Sequence, residues 1–130
     1  MSPTKCRRTL LLCSAALPLA ACDISEGCTL NIAAGVEVEV RDRTTNQFLT
    51  TPPRGVVREG TFQDSLEVSG FTEDVPPRVR TLIGAEERTG RYLVHVEAEG
   101  YLPWDTVGVR VGRGDCHVHT ARFTAALSPL

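Results

Sequence analysis

The residue types able to do chemistry are few in this sequence, and most sit in one stretch, Gly112 to Thr120, which reads GRGDCHVHT. Cys116, His117 and His119 are metal-ligating types at close spacing. Side chains two apart on a strand leave the same face, so His117 and His119 placed on one can chelate a single ion. His95, the remaining histidine, faces away from the valines around it if its own stretch alternates. Three imidazoles with an open position suit zinc or copper. Such a site requires the strands carrying His95 and the His117–His119 pair to be neighbours. The competing reading makes both C-terminal histidines outward polar residues, with Cys116 and Val118 inward. Arg113-Gly114-Asp115 spells a cell-adhesion tripeptide, yet glycines among charged residues are also what a strand–strand turn uses. Tyr101 and Trp104, around Leu102-Pro103, form the aromatic cluster near a loop. Exposed, they can stack on a glycan or an extended peptide; buried, they cap the end of a core.

Nucleophilic chemistry has less to draw on. Ser65, Ser69 and Ser128 lie in no nucleophile-elbow context, and no glycine-rich phosphate loop occurs. Glu37, Glu39 and Glu97 alternate along strand-like stretches and read as solvated surface. The His-Val-His spacing is similar to part of the copper site of copper–zinc superoxide dismutases, but that dinuclear centre needs more histidines than the 3 present. The sequence therefore reads as non-catalytic and without a cofactor, unless the histidines take zinc or copper.

Whether these side chains meet depends on the elements that carry them. Val36-Glu37-Val38-Glu39-Val40-Arg41 alternates strictly, valines inward and charges outward. Asp42 to Asn46 supplies a turn, with Asn46 able to take a left-handed conformation. Phe48 to Thr51 begins a return strand that Pro52-Pro53 ends or leaves at an edge. Val56-Val57 and a Glu59-Gly60 turn lead into a strand over Thr61 to Ser69. Gly70 to Arg80, with Glu73-Asp74 and Pro76-Pro77, reads as a surface loop. Further strands span Thr81 to Glu86, Arg91 to Ala98, Asp105 to Val111 and Cys116 to Leu127. In the last of these Phe123 and Leu127 fall on the histidine parity, which predicts a bulge or switch after His119. Seven or eight short strands, no helix and a turn roughly every ten residues predict an all-β fold, a single antiparallel β-sandwich. Its predicted core is Val36, Val38, Val40, Phe62, Leu66, Tyr92, Val94, Val96, Val107, Val109 and Val118.

The opening MSPTKCRRTLLLCSAALPLAAC has the layout of an export signal, with Lys5, Arg7 and Arg8 before an apolar run, Thr9 to Ala21, that is short for a bilayer span. Leu19-Ala20-Ala21-Cys22 resembles the bacterial lipobox, in which the cysteine thiol receives a diacylglyceryl group before cleavage in front of it. The alternatives are an ordinary secretory signal cut near Ala21 and a buried apolar helix. The lipobox reading divides the chain into a signal peptide (1–21), a lipidated N-terminus and tether (22–30) and the sandwich domain (31–130). Two or three acyl chains anchor a protein far more firmly than one. Asp23 resembles the inner-membrane retention signal of enterobacterial lipoproteins, a rule that varies among bacteria.

The signal would remove 3 of the 14 basic residues and none of the 16 acidic ones, leaving eleven arginines on a modestly acidic domain. That balance argues against nucleic acid or anionic lipid as the main partner. With Cys6 and Cys13 in the signal and Cys22 lipidated, only Cys28 and Cys116 remain for an oxidising compartment, and a disulfide between them is the simplest account; two free thiols are the alternative.

Val36-Glu37-Val38-Glu39-Val40-Arg41-Asp42 before a turn, and Gly90-Arg91-Tyr92-Leu93-Val94-His95-Val96-Glu97-Ala98-Glu99-Gly100-Tyr101, resemble the carboxypeptidase regulatory-like domain, a transthyretin-like (prealbumin-like) β-sandwich. Asp115-Cys116-His117-Val118 before a last strand is similar to small bacterial lipoproteins that carry it. The resemblance covers roughly residues 30–127 and implies the fold. In carboxypeptidases this domain is an accessory to a catalytic zinc domain, so the resemblance implies at most a binding or stabilising role. Transthyretin-like hydrolases of purine catabolism share the fold but close on a characteristic tetrapeptide that Leu127-Ser128-Pro129-Leu130 does not match. The expected partners are the membrane, through the N-terminal lipid, and an envelope protein or glycan. The expected place is the bacterial cell envelope.

Overall fold

Val36, Val38 and Val40 are completely buried, while Glu37 and Glu39 between them stay half-buried on the opposite face, so strict alternation becomes strand β1 (Val36–Asp42) at the centre of a sheet. The computed structural model describes residues 27–130; the expected signal and Cys22 lie outside them. After β1 come β2 (Arg54–Glu59), β3 (Phe62–Ser65), β4 (Glu67–Phe71), β5 (Val79–Gly84), β6 (Gly90–Glu97), β7 (Trp104–Arg113), β8 (Val118–His119) and β9 (Ala121–Leu127). One sheet has the order β4-β5-β1-β9 and the other β3-β2-β6-β7-β8. Buried side chains from both fill the space between them, with Tyr92, Leu49, Leu82 and Leu127 the largest that are fully enclosed.

The all-β sandwich matches the expectation, with four differences. The described residues form nine strands, because two predicted strands each break and change sheets. The first break falls at Leu66, within the stretch expected as one strand. Leu66 donates its N–H to the carbonyl of Gly55 (2.8 Å), and its two methyls lie 2.8 Å and 2.7 Å from where a Cβ would stand at Gly55 and Gly84. Leu66 is thus a peg between the two sheets, and β3 and β4 diverge on either side of it. The second break, at Thr120, is the switch that the Phe123/Leu127 parity predicted. Before it β8 pairs antiparallel with β7; after it β9 runs parallel to β1, from Val36 opposite Ala121 to Asp42 opposite Leu127. The sandwich is therefore mixed rather than purely antiparallel.

Val107, expected in the core, is 74% exposed. The ladder between β6 and β7 slips a residue there: Tyr92 faces Val109, but Val94 faces Thr106. Gly108 takes φ +70°, a conformation open to glycine, and the bulge turns Val107 outward while returning Val109 and Val111 to the core side. Phe48 to Thr51 forms an isolated bridge to Arg41 instead of a strand. Asp42 draws the chain into a tight turn by accepting N–H groups from Thr44 (2.7 Å) and Thr45 (2.9 Å), and Leu49 drops into the core before Pro52-Pro53.

Candidate functional site

The GRGDCHVHT stretch forms the end of β7, a turn and β8. Cys116 lies in the turn and is bonded to Cys28, with their Cα atoms 5.1 Å apart and a sequence separation of 88. This is the pairing that the cysteine pattern pointed to. His117, beside it, lies in the turn before β8 begins, and both of its ring nitrogens have partners. Nδ1 lies 2.5 Å from Oε1 of Glu87, and Nε2 lies 2.9 Å from the hydroxyl of Thr29. Glu87 also accepts the backbone N–H of Ala33 (2.8 Å) and, at 3.4 Å, that of Val118. These bonds hold its carboxyl below the usual range, the Ala33 N–H first and His117 next.

Hydroxyl, imidazole and carboxylate in series is the order by which a base activates a nucleophile. Here every member also fastens chain: Thr29 follows the disulfide by one residue, Glu87 holds Ala33, and His117 adjoins Cys116. The clefts beside Tyr101 and at the start of β6 lie elsewhere. The cluster is a clasp that holds the N-terminal segment against the β7–β8 turn.

The three histidines do not converge. His95 is on β6 and His119 on β8, with β7 between them. His95 lies opposite Asp105, and His119 opposite Gly112, seven residues along β7, roughly 23 Å at strand rise. The neighbouring-strand condition for a three-histidine site is thus not met. Nδ1 of His95 is 2.6 Å from Asp105 and its Nε2 is 3.7 Å from Glu97. The ring of His119 lies over Gly114. Among the described residues no group of three or more histidine, cysteine, aspartate or glutamate side chains is arranged to hold a metal ion. Arg113-Gly114-Asp115 occupies the strand–strand turn that its glycines suggested, closed by the Gly114 N–H to the His117 carbonyl (2.8 Å).

Tyr101 and Trp104 are both half-buried. Trp104 stacks on Phe123 from the opposite sheet (centroids 6.1 Å, planes 21° apart), capping the core, and the Tyr101 hydroxyl donates to Asp42 (2.9 Å). Burial, then that bond, push the Tyr101 phenol up, while the Thr45 N–H foremost, with Tyr101 and Thr44, holds the Asp42 carboxyl down. One edge of Tyr101 still lines an open cleft of about 520 Å³ with Thr51, Pro52, Arg54, Glu97 and Pro103.

Sequence reasoning missed Glu87 and a second polar knot. Tyr92, fully enclosed, donates its hydroxyl to the carbonyls of Arg88 (2.9 Å) and Thr89 (3.1 Å), just upstream in the turn before β6. Arg88 lies 3.8 Å over the Phe62 ring and bonds Glu59 (3.0 Å), whose other oxygen accepts the Arg91 N–H (2.6 Å). That N–H, then Arg88, lower the Glu59 carboxyl. The signal for both knots was the Glu86-Glu87-Arg88 run before a Gly-Arg-Tyr strand, which looks like ordinary turn filler. The chain matches no family model and no curated protein.

Proposed function

We propose that this chain is a lipid-anchored module of the bacterial envelope, a transthyretin-like sandwich of the carboxypeptidase regulatory-like class that binds or supports a partner without catalysis. The observation that carries this reading is the clasp. The disulfide, Thr29, His117 and Glu87 fix the domain to its N-terminal segment a few residues after the lipobox cysteine. A rigid domain held close to its tether suits presentation of a surface at a membrane, and a disulfide suits an oxidising compartment. The candidate chemistry supports the same reading, since Cys116 and His117 serve the clasp and Trp104 serves the core. The half-exposed Tyr101 cleft is the place where an envelope protein or glycan would touch the aromatic cluster.

The test is to express the full chain in a bacterium with labelled palmitate and to fractionate the envelope. Label on the wild type, and none on Cys22→Ser, supports the anchor. An unlabelled, freely released wild type overturns it. Cross-linking from Tyr101 in the envelope, absent when the cleft is filled by Thr51→Trp, tests the binding role separately.

A further inference from the structure

The described domain is acidic, yet the rim of its five-stranded sheet gathers unpaired arginine. Arg41, Arg54, Arg78, Arg80, Arg88 and Arg122 each lie within ion-pair distance of a carboxylate. Arg58 bonds Gln63. Arg43, Arg91, Arg110 and Arg113 have no such partner among the described residues, and the last three are exposed and line one open cleft of about 500 Å³, where β6 begins and β7 ends.

Their arrangement carries a cost. Arg91 and Arg110 are directly opposite each other across the β6–β7 ladder. Like charges at that spacing destabilise a sheet, unless an anion lies between them. The one carboxylate in the cleft, Glu59, already accepts the Arg91 backbone N–H and the Arg88 guanidinium. Thr89 adds a hydroxyl and Gly112 leaves the wall low.

We propose that this rim is a binding site for a phosphate group. Guanidinium forks bind oxyanions in a bidentate manner, and a tetrahedral phosphate offers enough oxygens to engage three of them, where one carboxylate satisfies two at most. The phosphate belongs either to a free phosphate ester or to a phospholipid headgroup. The site stands on the register and the charge pattern, independent of lipid anchoring and of the Tyr101 cleft.

The test uses the protein as the cell processes it, purified in detergent and isotope-labelled, with amide NMR and thermal unfolding as readouts. Inorganic phosphate should shift the Arg91, Arg110 and Gly112 signals saturably and raise the unfolding midpoint. Short-chain phosphatidylglycerol below its micelle concentration, against the matching phosphatidylcholine, assigns the source: a shared response to phosphatidylglycerol marks a headgroup site, and a response to phosphate alone marks a free ester. Arg91→Gln/Arg110→Gln should weaken phosphate binding at least tenfold. Its midpoint without phosphate should equal or exceed that of the wild type, because the repulsion is gone. Absence of saturable shifts with phosphate and both lipids, or equal shifts in the double variant, overturns the proposal.

Discussion

At Asp42 a carboxylate accepts backbone N–H groups within its own turn, and at Glu59 and Glu87 it accepts them from distant chain; in each case a backbone N–H is the foremost reason the carboxyl titrates below the ordinary range. Groups depressed in the folded state stabilise it above the ordinary carboxylate range, and that stability is lost as pH falls through their folded values. Urea midpoints should therefore hold from neutral pH to about pH 5 and drop steeply below about pH 4. Glu87→Gln should lower the midpoint at pH 7 and flatten the acid limb, since Gln cannot charge. Tyr92→Phe removes the donor that closes the turn before β6 and should cost about 1–2 kcal/mol by urea unfolding. The turn at Asp42 was legible in the sequence; the roles of Glu59, Glu87 and Tyr92 were not. A carboxylate that fastens a turn and one that merely decorates it look alike until the backbone brings Ala33 to Glu87 or Arg91 to Glu59.

Elements were legible where the pattern is local. The valines of β1 and the alternation of β6 gave their buried faces directly, and the parity conflict after His119 marked the switch at Thr120. Long-range consequences were not legible. Nothing near Val107 says that Gly108 will bulge, and nothing in Thr61–Ser69 says that Leu66 is a peg rather than one apolar residue of a continuous strand. The Arg91–Arg110 pairing depends on the same unseen register. Leu66 and Gly84 should behave as a unit. Leu66→Ala should cost about 2–5 kcal/mol through the cavity. Gly84→Ala, whose new methyl meets Leu66 at 2.7 Å, should cost about 1–3 kcal/mol by crowding. In the double variant the methyl enters the vacated space, so its loss of stability should fall well short of the sum, as a double-mutant cycle in urea would read.

At the scale of the molecule, the ends are joined twice, by the disulfide and by the β1–β9 ladder. Cys116→Ser should lower stability by up to about 4–5 kcal/mol on the loop-closure account, and reductant should bring the wild type to the same denaturation midpoint. The parallel ladder has a further consequence, in the order of events. The first strand of the domain has β9, the last, as one of its two neighbours, so β1 is left with a bare edge until some eighty residues more have been made. Pairings of such separation are slow, and the sandwich cannot close on a growing chain. A chain still emerging, from a ribosome or through a membrane pore, would stay threadable up to its final strand and close only once that strand is free.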